Sequence, residues 1–248
     1  MSDIKPITLY TTSRGPVPWK VALLLEELNI PYTSKYLETP DMNTESFKSL
    51  NPNAKVPAIK DPNTGIKLFE ANAITLYILD TYDTNGTLHS LSGQDKYTEL
   101  AWWQFQTTEQ HMYYSQNAWF LYKHPERVQS ALDRYEWTVK RTIGVLDDHL
   151  KRTGKSYLAG DRLTFADLAY IIHNEFVPQI LPGYDPSEEY PFYAKWNSRL
   201  VNRPSFKKIA AERAARGHPL GVVSQEHINA YIWRDDPNHE YNKKSLLR

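Results

Sequence analysis

Asn51-Pro52-Asn53-Ala54-Lys55-Val56-Pro57-Ala58-Ile59, followed closely by Leu68-Phe69-Glu70-Ala71-Asn72-Ala73-Ile74, decides the fold. Val56 to Lys60 and Ile66 to Phe69 read as two strands joined by the turn Asp61-Pro62-Asn63-Thr64-Gly65. Ala71 to Tyr82 then carries Ile74, Tyr77, Ile78 and Tyr82 in helical register. A strand bearing a proline thus sits beside the start of a helix. Backbone groups at such a corner can hold a short anionic peptide.

Working outward, Ile7 to Thr11 is a short β-type run. Pro16 and Pro18 stop it and suit a first helical turn, where a missing N–H costs nothing. Val21, Leu24, Leu25 and Leu28 recur at helical spacing until Asn29-Ile30-Pro31 ends the helix. Tyr32 to Leu37 alternates like a strand, and Thr44 to Leu50 reads as a short helix. The order is β-α-β-α-β-β-α. Asp83 to Gly93 is rich in Asn, Gly, Thr and Ser and reads as a linker. Everything beyond it is helical in pattern: Tyr97 to Tyr122 as one long aromatic helix, then Val128 to Leu150, a helix opening at Leu163-Thr164-Phe165-Ala166-Asp167, Tyr193 to Val201, and Pro204 to Ala215. The expected domains are an α/β unit over 1–84, a linker over 85–93, an all-helical unit over 94–216 and a tail over 217–248.

The bulk numbers exclude several classes. Twenty-nine basic and 29 acidic residues balance, which gives no footprint for nucleic acid or an anionic membrane. With no cysteine there is no disulfide, thiolate zinc site or cysteine nucleophile, so any sulfur chemistry needs a ligand that brings the sulfur. No metal site is expected. No run reaches the length of a membrane span, and the N-terminus lacks the apolar core of a secretory signal, so the cytoplasm is the expected compartment.

From about Ile7 to Ala215 this plan resembles the cytosolic glutathione transferases, and in wording the fungal Ure2p-like group. The resemblance rests on Gly15-Pro16-Val17-Pro18-Trp19-Lys20-Val21, on Asn51 to Ala58, and on Gln106-Thr107-Thr108-Glu109-Gln110 through Trp119-Phe120. It implies a thioredoxin-like N-terminal domain, an all-α C-terminal domain, homodimers and glutathione as the thiol cofactor. It also implies that the Val56-Pro57 bond is cis and that the Val56 backbone pairs with the cysteinyl unit. Glu70 would take the γ-glutamyl ammonium, the Ala71 amide the α-carboxylate, and Lys55 the glycine carboxylate.

Two positions depart from the family pattern. Ala71 stands where the family has Ser, so a hydroxyl is lost and the backbone N–H kept. Val17 stands where the fungal group has an Asn that orients the thiolate, and valine offers no hydrogen bond. Ser13, then Arg14, are the expected replacements, since thiolate formation needs a donor or a positive charge. Backbone N–H groups opening the first helix are a further source. The same resemblance places a hydrophobic co-substrate against the aromatic helix, at His111, Tyr113, Tyr114 and Gln116, with Gln110 or Glu109 in reach of glutathione. His173 reads as a core histidine. Thr164 to Asp167 has the form of a capping box and is expected to serve folding alone.

The expected activity is glutathione transfer, with thiolate attack on an electrophilic carbon. Two other readings stand beside it. One is cis–trans isomerisation by reversible thiol addition, as in fungal members that serve secondary metabolism. The other is a non-catalytic binding or regulatory role.

Overall fold

The structure, a computed structural model, describes residues 4–218; the tail expected over 217–248 lies outside the described residues from 219 onward. β1 (Ile7–Thr11), α1 (Val17–Glu27) and β2 (Tyr32–Tyr36) form a parallel β-α-β unit. β3 (Ala58–Lys60) and β4 (Lys67–Phe69) are a hairpin added antiparallel to β1, so the sheet runs β2-β1-β3-β4. Two single-turn helices, α2 (Thr39–Met42) and α3 (Glu45–Lys48), fill the connection, and α4 (Ala71–Tyr82) follows the hairpin. The sequence pattern foretells α3 but not α2. One turn is too short to show a period, and α2 is held by a Glu38–Asp41 capping box.

Alternation along the strands gives the sheet two apolar faces. Ile7, Leu9 and Ile59 join the large core, while Tyr10 and Ala58 pack with Leu37, Phe47 and Leu50 on the other side. Pro18 to Leu25 are all buried because α1 is covered on every side. The 61–65 turn ties the hairpin to α4. The Tyr77 and Tyr82 hydroxyls both donate to Asp61 Oδ2, and the Asn63 amide donates to Oδ1 at 2.8 Å. That anchor fixes the direction of α4 and with it the place of Glu70 at its start.

The segment expected as a linker is held by its own hydrogen bonds. Asp83 accepts from the Thr87 and Leu88 amides at 2.7 Å each, and the Phe165 amide donates to the Leu88 carbonyl at 2.8 Å. Its polar composition reflects backbone-capping side chains, not freedom.

The helical part comprises α5 (Gly93–Phe105), a π-helical turn (Gln106–His111), α6 (Met112–Tyr122), α7 (Gln129–Thr153), α8 (Phe165–Asn174), α9 (Val177–Ile180), α10 (Pro186–Glu189), α11 (Pro191–Val201) and α12 (Pro204–Ala215). The expected single helix over Tyr97 to Tyr122 therefore starts at Gly93 and widens in its middle. The hydroxyls of Thr107 and Thr108 donate to the carbonyls of Trp103 and Gln104, both at 3.1 Å. Two successive i−4 side-chain bonds compete with the backbone ladder, which loosens the turn. The core runs without a break from the sheet into the helices.

Asp167 anchors this part. Oδ2 accepts from the Thr164 amide and hydroxyl, both at 3.0 Å; Oδ1 accepts from the Leu158 amide at 3.0 Å and Trp196 Nε1 at 2.9 Å. The capping box of α8 is closed, and its carboxylate is spent on structure. Replacing Asp167 by Ala leaves buried donors unpaired, so unfolding free energy measured by denaturant titration should fall by about 3 kcal/mol or more.

Candidate ligand-binding cleft

Three segments meet at one end of the sheet. Strand register places them there: Ala58 pairs with Phe69 on one side and with Tyr10 on the other. Residues 55–57, residues 70–72 and the loop after Thr11 therefore leave the sheet together. The Val56-Pro57 bond is cis. Among the described residues neither backbone group of Val56 makes a backbone hydrogen bond.

The loop before Val56 is built by Asn51, which is 2% exposed. Its Nδ2 donates to the Lys55 carbonyl at 2.5 Å and its Oδ1 accepts from the Asn53 amide at 2.9 Å. Ala54 turns with φ of 52°. Lys55 is thereby held at the rim, exposed and without an ion-pair partner among the described residues.

Glu70 occupies the N-cap of α4 with φ of 69°, in the left-handed region. A non-glycine residue there costs roughly 1 kcal/mol or more, and such residues cluster at ligand sites. Its side chain caps nothing and is exposed. The helix start therefore keeps its first amides, Ala71 and Asn72, available for an anion. Ala71 itself is buried in the core. Asn72 Nδ2 donates to Thr107 Oγ1 at 2.9 Å, which ties the start of α4 to the π turn.

The third segment is Thr12 to Val17. Trp19 Nε1 donates to the Thr12 carbonyl at 3.0 Å, and Arg213 of α12 donates to the Arg14 and Gly15 carbonyls at 3.1 and 3.4 Å. Arg213 is 2% exposed and lies over the Trp19 and Phe176 rings. Three of the loop's carbonyls are thus tied inward. Ser13 is half-buried, Arg14 points outward, and Val17 packs against the core.

Beneath α1 runs a buried polar chain that the sequence reading leaves out. Lys20 Nζ donates to Gln106 Oε1 at 2.9 Å. Gln106 Nε2 donates to Gln110 Oε1 at 3.0 Å and lies 3.4 Å from His173 Nδ1. His173 Nε2 is 3.0 Å from His111 Nδ1. With the Gln106 amide as donor, His173 accepts at Nδ1 and donates from Nε2, so His111 accepts at Nδ1 and keeps its own Nε2–H. Burial, and secondly the Lys20 charge, pushes His111 down to about 4. Burial, then Lys20 and His111, pushes His173 well below the ordinary imidazole value. Both rings are neutral at physiological pH.

The expected co-substrate wall is only partly assembled. His111 turns to α8, whereas Tyr113 packs on Tyr135 of α7, with ring centroids 6.2 Å apart. Residues two apart on a helix differ by about 200°, so these two cannot share a wall. Tyr114 is 3% exposed and belongs to the core; Gln116 is half-buried. Gln110 is fully buried and donates to Asn174 Oδ1 at 2.7 Å, and Glu109 pairs with Arg141 at 3.0 Å. Neither of these last two reaches the cleft. His173 is a core histidine, as its sequence setting suggests. Lys20, Gln106 and Arg213 are the residues the sequence reading missed. The one signal for them was a set of polar residues at core spacing, Lys20 in an apolar helix and Gln106 with Gln110 four apart.

Family models for the N-terminal domain of glutathione S-transferase match residues 5–80, and those for its C-terminal domain match residues 111–204. The chain belongs to the glutathione S-transferase family. It is 44% identical over 216 residues to the glutathione S-transferase-like protein OpS6 of Beauveria bassiana, covering 87% of this chain and 99% of that one. It is 33% identical to glutathione S-transferase 1 of Schizosaccharomyces pombe, covering 84% and 96%. Among solved structures it is similar to the glutathione transferase URE2P6 from Phanerochaete chrysosporium in complex with oxidized glutathione (TM-score 0.80, 37% identity, covering 87% of this chain and 99% of that one). Ure2p in complex with glutathione is similar too (TM-score 0.78, 30% identity, covering 84% and 100%). The expected thioredoxin-like sheet domain with an all-helical partner is the fold observed. No helix among the described residues is long and apolar enough to cross a membrane.

The depressed imidazoles give a pH prediction. Between pH 6.5 and about 4 the unfolded chain binds a proton at His111 that the folded chain does not. Unfolding free energy should therefore fall with pH across that window, by about 3 kcal/mol for His111, with His173 adding to it. Denaturation at stepped pH should show this slope, and it should flatten in a His111→Asn/His173→Asn variant.

Proposed function

We propose that this protein binds reduced glutathione at the sheet end and catalyses attack of its thiolate on an electrophilic carbon of a hydrophobic co-substrate. The observation that carries this reading is the convergence of the cis Val56-Pro57 corner with Glu70, strained at the head of α4 and without a side-chain partner among the described residues. Solved family members hold oxidized glutathione or glutathione. In this reading the Val56 backbone pairs with the cysteinyl unit and Lys55 meets the glycine carboxylate. Glu70 takes the γ-glutamyl ammonium, and the Ala71 amide takes the α-carboxylate. The missing serine hydroxyl at 71 removes one hydrogen bond, about 1 kcal/mol, which weakens binding without abolishing it.

The co-substrate lies on the His111 side of the helical wall, where the His111 Nε2–H can donate to an acceptor on the electrophile. The protein supplies proximity and a dry site for the reaction. A second reading is reversible addition to a conjugated alkene with net isomerisation; it draws on Val17, which leaves the sulfur without the usual side-chain donor. The two differ in stoichiometry. Conjugation consumes one glutathione per co-substrate, whereas isomerisation consumes none.

Titration calorimetry tests the shared core of both. Glu70→Ala removes a charged hydrogen bond and should raise the glutathione Kd about tenfold to a hundredfold. Ser13→Ala should change Kd less than about threefold. Equal dissociation constants for wild type and Glu70→Ala would show that the ligand lies elsewhere.

A further inference from the structure

Position 17 leaves a chemical gap. A thiol is held as thiolate by a hydrogen-bond donor or a nearby cation, and Val17 supplies neither. Lys20 is one helical turn further on, at i+3, and therefore shares the Val17 face of α1. Helical side chains lean back toward the N-terminus, so the Lys20 stem covers the turn that Val17 opens. The side chain is 9% exposed.

The ammonium has three protons, of which one is bound, to Gln106 Oε1. The titratable groups that face it are His111, at the end of the π turn, and His173 of α8, and both are neutral. The charged group from α12, Arg213, lies over Trp19 and pairs with loop carbonyls instead. Among the described residues no carboxylate of α4, the π turn, α8 or α12 pairs with Lys20. A buried ammonium without a counter-anion is costly, and burial brings Lys20 down to about 8. Below that pH the group is still mostly charged.

We propose that Lys20 is the cation that holds the glutathione sulfur as thiolate, replacing the side-chain donor absent at position 17. This rests on the glutathione reading given above. On binding, the thiol proton leaves to bulk water and Lys20 stays an ammonium, so the new pair is neutral overall. The coupling is reciprocal: whatever the thiolate adds to the basicity of Lys20, Lys20 subtracts from that of the thiol.

The test reads the thiol directly, by ultraviolet absorbance of the bound thiolate as pH is raised, with glutathione Kd measured separately by calorimetry. Lys20→Met keeps the length and removes the charge. It should leave about tenfold less thiolate at neutral pH, a shift of about one unit, while Kd stays within about threefold. Lys20→Arg should restore most of the effect. Gln106→Glu, which keeps the size and the acceptor for Lys20 and neutralises its charge in place while giving up the Nε2 donors, should also raise the thiol pKa, and it covers the case in which Lys20→Met does not fold. A purely structural lysine would alter unfolding and leave the thiol where it was. An unchanged thiol pKa in either folded charge variant overturns the proposal. A wild type that gives no heat with glutathione overturns the binding reading first, and this assignment with it.

Discussion

A charged amine buried where two domains meet constrains everything around it. Lys20 leaves the sheet domain and meets Gln106 of the helical domain at 2.9 Å. An amide oxygen is a weaker partner than a carboxylate, and the amides around it form a chain of their own. Gln106 passes its donors to Gln110 and His173, Gln110 to Asn174, and Asn174 to Asn197 at 2.8 Å. Each link fixes the orientation of the next. The seam is reinforced at its edges, where Glu27 is held by Arg203 and Ser205, Lys208 bonds Glu26, and Tyr36 bonds Glu212. These bonds, with Asn72 Nδ2 donating to Thr107 Oγ1 at 2.9 Å, set the sheet end against the π turn.

Two populations of polar groups follow from this. Asp61, Asp83, Asp167 and Asn51 have their lone pairs or amide hydrogens committed to the chain's own backbone and side chains. They are buried and explain shape. Glu70 and Lys55 are committed to nothing within the described residues, yet each is carried on a segment that is tightly specified, by Asn51 on one side and the Asp61 anchor on the other. An uncommitted side chain on a rigid support is what a ligand site requires, because the order is established before the ligand arrives.

The regular elements were legible because their signals are local. The helices at Ala71–Tyr82 and Pro204–Ala215 begin and end where their spacing and flanking residues say they should. The Asp61 to Gly65 turn closes as its residues suggest, with the Asp61 amide donating to the Ile66 carbonyl at 2.8 Å. What was hidden depends on partners distant in sequence. Lys20 and Gln106 are 86 positions apart, and Arg213 is 199 from the loop it clamps. In the polar stretch after Asp83, composition does not distinguish solvated side chains from capping ones, and the capping by Asp83 was not legible. The four positions expected to line the co-substrate wall are separated, with His111 toward α8, Tyr113 toward α7 and Tyr114 in the core.

Both departures from the family wording put an apolar side chain where a polar one would face the ligand, and both side chains pack into the core. Val17 and Ala71 thereby exchange a directed hydrogen bond for burial. At 71 the exchange is mild, because the backbone amide at the start of α4 is kept. At 17 no backbone amide follows directly in the helix, since Pro18 has none, and on the Lys20 proposal the field of a nearby charge takes the donor's place. A field is less directional than a hydrogen bond and acts over a longer range in a dry site. In the proposal above, the ammonium of Lys20 is the source of that field.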